Sequence, residues 1–183
     1  MNMRKNDILA RLKVWIPSGF IITALFLFVY IAEQHSLRLG ANDQVVQIAT
    51  DVSNALGQGA PYVSFNSPRP VNIAASLSPY VIIFDADEKM MAGSAVLGGE
   101  VPRPPKGIFA YVKAHGEERV TWEPLPGVRV ALYGVYHTGV NPGYIFAGRS
   151  LSETEKHIDT LTRITLAAWA LTMMAAFALS LIF

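Results

Sequence analysis

Residues 128–149 read VRVALYGVYHTGVNPGYIFAGR. Val128, Val130, Leu132 and Tyr136 fall on one face of an extended chain, and Arg129, Ala131 and Tyr133 on the other. That alternation predicts a strand with two different sides. The turn Gly139-Val140-Asn141-Pro142-Gly143 follows, rich in the residues that reverse a chain. Tyr144 to Arg149 is then a further strand, antiparallel to the first. Immediately upstream, Glu118 to Glu123 reads as a strand joined by another short turn. The three are expected to form an antiparallel meander.

Working toward the N-terminus, Ile108 to Ala114 predicts a short helix closed by Gly116, preceded by the rigid Pro102-Arg103-Pro104-Pro105. The apolar run Tyr80-Val81-Ile82-Ile83-Phe84 predicts a buried strand. Asp85-Ala86-Asp87-Glu88-Lys89 is a polar turn, and Met90 to Val96 returns as the second arm of a hairpin. Residues 61–70 hold proline, serine and asparagine together and read as loop. In Asn42 to Leu56, Val45, Ile48, Val52 and Leu56 follow helical spacing, with Asn42 or Asp43 at the start and Gly57 and Gly59 at the end. Gly40 is where this helix would part from what precedes it. Toward the C-terminus, Leu151 to Arg163 is helical, opened by Ser152 with Glu155 three residues later, the spacing of a capping box. The expected fold class is α+β: a sheet of about five antiparallel strands with a long N-terminal helix behind it.

Two uncharged stretches frame this region. Trp15 to Ala32 runs 18 residues without a charge and Ile164 to Phe183 runs 20. As helices they would measure about 27 and 30 Å, against a hydrocarbon core of about 30 Å. Overall 51% of residues are hydrophobic and 16% charged, and mean hydropathy is +0.31. Both stretches are therefore read as transmembrane helices. The first is too long for a signal-peptide core and has bulky Tyr30 at the cleavage register, so it reads as an uncleaved anchor. Pro17 and Gly19 are expected in its first turns, where proline costs least. Arg4, Lys5, Arg11 and Lys13 against Asp7 precede it, and the flank after it is neutral. The positive-inside rule then places the N-terminus in the cytoplasm. The resulting organisation is a cytoplasmic tail at 1–14, a span at 15–32, an extracytoplasmic domain at 33–163 and a second span at 164–183. The expected location is a bacterial inner membrane.

Residues 33–163 resemble the extracytoplasmic PAS-like sensor domains called Cache or PDC domains. The likeness rests on the strand into Asp85-Ala86-Asp87, the hairpin return to Ser94, the strand pair 128–136 and 144–149, and GRSLSETE leading into a second span. That tail is similar to what bacterial sensor histidine kinases carry before their second membrane helix. The resemblance implies a pocket on the sheet face not used by the long helix. Arg129, Tyr133 and Arg149 alternate with core residues, and Trp122 lies on the neighbouring strand. Arginine among aromatic rings suits a small carboxylate or other anion. The competing reading pairs Arg129 and Arg149 with Glu118, Glu123 or Glu153 as surface ion pairs.

Other chemistry is not expected. Cysteine is absent, which removes disulfides, thiolate metal sites and cysteine nucleophiles. His35, His115, His137 and His157 stand apart, with no metal-type spacing. Asp85, Asp87 and Glu88 read as a solvated turn rather than a cation site. No nucleotide, hydrolase or metalloprotease motif is present, so no enzyme activity and no cofactor are expected. The net charge of +1 recruits no nucleic acid. Expected partners are the lipid bilayer, a small anionic ligand, and a second copy or a membrane signalling protein met through the spans. Ala167, Ala168, Ala175 and Ala176 would permit close helix approach there. The function this supports is a membrane-anchored sensor or signalling accessory protein without an output module of its own. The alternatives are a structural subunit of an envelope complex, or the N-terminal part of a longer receptor.

Overall fold

The computed structural model describes residues 5–139 and 141–182. Arg4, Val140 and Phe183, which entered the readings of charge, turn and second span, lie outside the described residues. The chain forms two compact units. One is built from the chain up to Leu37 together with the chain from Lys156, and the other is Arg38–Glu155.

The Arg38–Glu155 unit is α+β. Strands β2 (Tyr80–Asp85), β3 (Met90–Gly93), β5 (Glu117–Leu125), β6 (Val128–His137) and β7 (Gly143–Ser150) form one sheet in the order β3-β2-β7-β6-β5. Every neighbouring pair is antiparallel. The meander β5–β6–β7 is present as expected, and β7 then pairs along the whole of β2, with Tyr80 opposite Gly148 and Asp85 opposite Gly143. That crossover puts β2 and β7 in the interior of the sheet, which is why both are buried along their length.

The return arm at Met90–Val96 is not one strand. Ser94 ends it: its N–H donates to the Val81 carbonyl at 2.8 Å, and its hydroxyl oxygen accepts the Val81 N–H at 2.9 Å. The chain then leaves the sheet, and β4 (Ala95–Val96) pairs in parallel with β1 (Val71–Asn72). Residues Tyr62–Phe65 within the expected loop form a 3-10 turn.

Alternation sorts the core into two layers. Val81, Ile83, Ala92, Tyr133, Ile145 and Ala147 face one way and pack with Val45, Ala49 and Val52 of α1 (Lys5–Gly57). Tyr80, Ile82, Phe84, Val130, Leu132, Tyr144 and Phe146 face the other way and pack with Phe109 and Val112 of α2 (Lys106–His115). Phe109 meets the rings of Phe84, Tyr144 and Phe146 edge-on at 5.0, 5.0 and 4.9 Å. Gly134 makes this approach possible, since a Cβ there would lie 2.5 Å from the Phe146 ring and 3.0 Å from Val112. Gly148 does the same for Tyr80, whose ring crosses the place a Cβ would occupy at 2.3 Å.

The long helices differ from expectation in extent and in capping. α1 begins upstream at Lys5 and passes Gly40 without interruption, so Pro17 lies in a helix interior rather than a first turn. Its end follows the Schellman pattern: Ala60 N–H reaches the Ala55 carbonyl at 2.9 Å, Gly59 N–H reaches Leu56 at 3.0 Å, and Gly59 has φ +89°. α3 (Ser152–Ile182) is not opened by a Ser152–Glu155 capping box. The Ser150 hydroxyl accepts the Ser152 N–H at 3.3 Å, and the Glu155 N–H goes to the Leu151 carbonyl at 2.8 Å. The Glu155 carboxylate is used elsewhere.

In the other unit, the N-terminal part of α1 and the C-terminal part of α3 are in contact. Trp15 and Phe177 meet edge-on at 5.9 Å, and a Cβ on Gly19 would come within 3.2 Å of Met173. The Trp169 indole donates to Thr23 at 3.0 Å, and the Tyr30 and Thr162 hydroxyls are 3.1 Å apart. Away from this seam the side chains are exposed and apolar: Phe20 at 75%, Phe28 at 70%, Ile164 and Leu171 at 63%. The two helices are long and apolar enough to cross a membrane.

Candidate functional site

The sequence singled out Trp122, Arg129, Tyr133 and Arg149. The structure brings three of them to one side of the sheet and puts the fourth on the other. Arg149 stands opposite Ala131, and Tyr133 opposite Ala147. Together with Arg129 they lie on the side that packs with α1. Trp122 belongs to the layer under α2. The expected arrangement, with these groups lining a pocket on the face away from the long helix, is therefore corrected. That face is covered by α2 and filled by rings.

Each arginine has protein partners. Arg149 sends one guanidinium nitrogen to Gln44 of α1 at 2.8 Å and another to Glu153 of α3 at 3.2 Å. Arg129 pairs with Glu155 of α3. The ion-pair reading anticipated Glu153 but not Glu155 or Gln44. Glu123 instead accepts the Gly127 N–H at 2.7 Å and closes the β5–β6 turn. Helical register explains the two acids: Glu153 and Glu155 occupy the first turn of α3, directly after the strand that carries Arg149. Gln44 is 105 positions away in sequence, and no local signal points to it.

Tyr133 is 4% exposed. Its hydroxyl donates to Glu117 at 2.6 Å, and the Arg119 guanidinium lies 5.7 Å from its ring centre. Its phenol is pushed up to about 12, first by burial, then by the hydrogen bond to Glu117 and that carboxylate's charge, with Arg119 opposing. This hydroxyl is a structural donor and not a group poised for proton transfer near neutrality.

On the other face, Trp122 borders an open groove of about 380 Å³, walled by Leu97, Glu100, Val101, Pro102, Arg103, Glu123 and Pro124. Leu97 and Glu100 pair across a tight turn in which Gly98 and Gly99 both have positive φ, at +62° and +91°. Arg103 is held by the Glu88 carbonyl at 2.8 Å and carboxylate at 2.6 Å, and its guanidinium lies 5.4 and 5.0 Å from the Phe84 and Phe109 ring centres. Near this layer the Tyr80 hydroxyl is buried with no hydrogen-bond partner among the described residues, and burial pushes its pKa well above the ordinary phenol value.

Two further constellations hold no reactive group. The Asp85 turn is a local device: its Oδ1 accepts the N–H groups of Asp87 at 3.0 Å and Lys89 at 2.8 Å. His137 Nδ1 lies 3.1 Å from the Ser53 hydroxyl, but among the described residues no carboxylate hydrogen-bonds to that ring, so the triad logic of an activated serine is incomplete. Among the described residues no group of three or more histidine or acidic side chains could hold a metal ion.

No protein-family model, curated protein or solved structure matches this chain.

Proposed function

We propose that this protein is a non-catalytic, membrane-anchored sensor or signalling accessory module. Its Arg38–Glu155 lobe stands outside a bacterial inner membrane, and the apolar parts of α1 and α3 cross the bilayer. The PAS-like resemblance and the five-stranded antiparallel sheet support the sensor reading, and the uncharged, outward-facing side chains of both helices support the anchor. One observation carries the reading furthest. Arg149 on a central strand holds α1 through Gln44 and α3 through Glu153 at the same time. A rearrangement of the sheet would change the restraint on both helices that lead to the spans. A ligand or partner drives such a change only by binding two arrangements with different affinity. Ala167 and Ala175 are exposed on α3 and would let a second copy or a partner helix come close, which is the lateral route for the signal.

The chain lacks cysteine, which makes the test clean. A single cysteine placed at exposed Asp87 should react with a membrane-impermeant maleimide on intact spheroplasts. Protection there, with labelling only after the cells are opened, overturns the orientation and the reading built on it.

The structural-subunit reading draws on a separate observation. The layer under α2 is occupied by Phe84, Phe109, Tyr144 and Phe146, so the part of that sheet face beneath the helix is filled by side chains. A thermal-shift screen separates the two, because a ligand that binds the folded state raises its melting temperature by mass action.

A further inference from the structure

The five-stranded sheet has two edges, and they are finished differently. At one, β3 is four residues long, and its Gly93 N–H donates to the Asn66 side chain at 3.0 Å. At the other, β5 is nine residues long, and among the described residues no strand pairs with its outer side. The hydrogen-bond phase fixes which groups that side presents. Leu151 N–H donates to the Arg129 carbonyl at 2.9 Å, and Tyr136 N–H to the Gly116 carbonyl at 2.8 Å. Odd-numbered residues of β6 therefore bond to β7 and even-numbered ones to β5. Register then makes Glu118, Val120 and Trp122 the inward-bonding residues of β5, opposite Gly134, Leu132 and Val130. Glu117, Arg119 and Thr121 turn their N–H and C=O groups to the open edge. An uncovered row of this kind is a template for another strand.

The side chains decide which strand fits. Arg119, Thr121 and Glu123 are exposed and alternate with Val120 and Trp122. Among the described residues Arg119 forms no ion pair, and its guanidinium lies 5.7 Å from the Tyr133 ring centre. Glu123 spends one carboxylate oxygen on the Gly127 N–H and keeps the other. Thr121 is the midpoint of Glu117–Leu125. A second β5 laid antiparallel about that midpoint sets Arg119 of each copy opposite Glu123 of the other, twice by symmetry. Val120 then falls opposite Trp122. The ladder with β6 is regular from Glu117 to Trp122 and shifts only beyond it, so residues 119–123 carry the pairing. Neighbouring registers are worse. Centring on Val120 puts Glu117 opposite Glu123, and centring on Arg119 puts that residue opposite itself, both like-charge pairs. Centring on Trp122 leaves Arg119 opposite Leu125.

We propose that β5 pairs with β5 of a second copy, antiparallel and centred on Thr121, joining two five-stranded sheets into one. This contact is separate from any helix approach at Ala167 and Ala175, and it holds whichever side of the membrane the lobe occupies.

The chain has no cysteine, so single cysteines report the register. Opposed residues that bond across an antiparallel pair have Cα atoms about 5.5 Å apart, within disulfide reach. Thr121 meets its own counterpart there. Glu118 falls opposite Pro124, so its own counterpart is about 20 Å along the strand. Full-length T121C and E118C are oxidised with copper phenanthroline in maltoside micelles and resolved on non-reducing gels. A disulfide-linked dimer from T121C, at least about tenfold more abundant than from E118C, is expected. In the T121C background, R119E and E123R should each cut the dimer yield about threefold or more, and the R119E/E123R exchange should restore it. No dimer from T121C, equal yields from T121C and E118C, or yields indifferent to R119E and E123R each overturns the interface. The T121C and E118C comparison decides the matter if a charge variant does not fold. Failure here leaves the Asp87 labelling result standing, and cytoplasmic labelling at Asp87 leaves this contact standing.

Discussion

Replacing Arg149 with methionine keeps most of the aliphatic stem and removes the fork that joins β7 to α1 and α3. The hydrogen bond to Gln44 at 2.8 Å is worth about 0.5–1.5 kcal/mol. The pair with Glu153 spans 3.2 Å, with side chains 28% and 46% exposed. Solvent screens it, and an i,i+4 pair of this kind contributes about 0.3–0.5 kcal/mol. Gln44 and Glu153 both stay within reach of water, so no buried orphan is left behind. The expected loss is about 1–2 kcal/mol, or about 3–6 °C in melting temperature for a lobe of this size. Arg129→Met removes one pair whose side chains are 49% and 42% exposed, worth about 0.2–1 kcal/mol, and should shift the melt less. Arg149→Lys should recover only part of the loss, because one ammonium cannot span two acceptors in the fork geometry. Thermal melts of the full chain and the three variants in the same micelles provide the comparison. A shift for Arg149→Met no larger than that for Arg129→Met, or full stability in Arg149→Lys, refutes the clamp.

Tyr80→Phe deletes a buried hydroxyl that has no partner among the described residues and should be neutral or stabilise by about 1 kcal/mol, read as a higher denaturant midpoint. Gly148→Ala places a Cβ 2.3 Å from the same ring. It should cost about 3 kcal/mol or more, and pairing it with Tyr80→Phe should give no rescue, since the clash includes ring carbon Cζ. Phe109→Ala empties the centre of the aromatic layer and should cost about 3–5 kcal/mol, enough that loss of the folded circular dichroism signal is expected. Tyr133 makes a pH prediction. Its folded pKa is raised to about 12, above the unfolded value of about 10. The unfolded chain therefore ionises first, so the contribution is fully present below pH 10 and is lost as pH rises toward 12. Tyr133→Phe should flatten that alkaline loss of stability, and tyrosinate absorbance should show one late-titrating phenol fewer.

Much of the architecture was legible in local pattern. The period-2 alternation at Val128–Tyr136 marked a strand and named the members of its two faces correctly. Gly59 and Gly116 marked helix ends through the left-handed conformation each adopts, with φ +89° at both. Short turns dictated the meander. The candidate site was legible in part. Arg129 and Tyr133 share a face by sequence parity, and the register that sets Arg149 opposite Ala131 brings it to the same face. What parity cannot show is which helix covers which face. The long helix took the face of Tyr133, so the arginines met Gln44, Glu153 and Glu155 instead of a pocket, and Trp122 was carried to the opposite layer.

The chain's own order of residues determined that two uncharged stretches of membrane length flank an α+β lobe, because burial of apolar surface and strand alternation are properties of neighbouring residues. Tertiary structure alone decided that β7 inserts beside β2, that Ser94 turns β4 out of the sheet, and that Glu100 and Glu123 share a groove with Trp122. Those contacts join residues far apart in the chain. They arise only when the whole sheet settles into the one register that buries both of its faces at once.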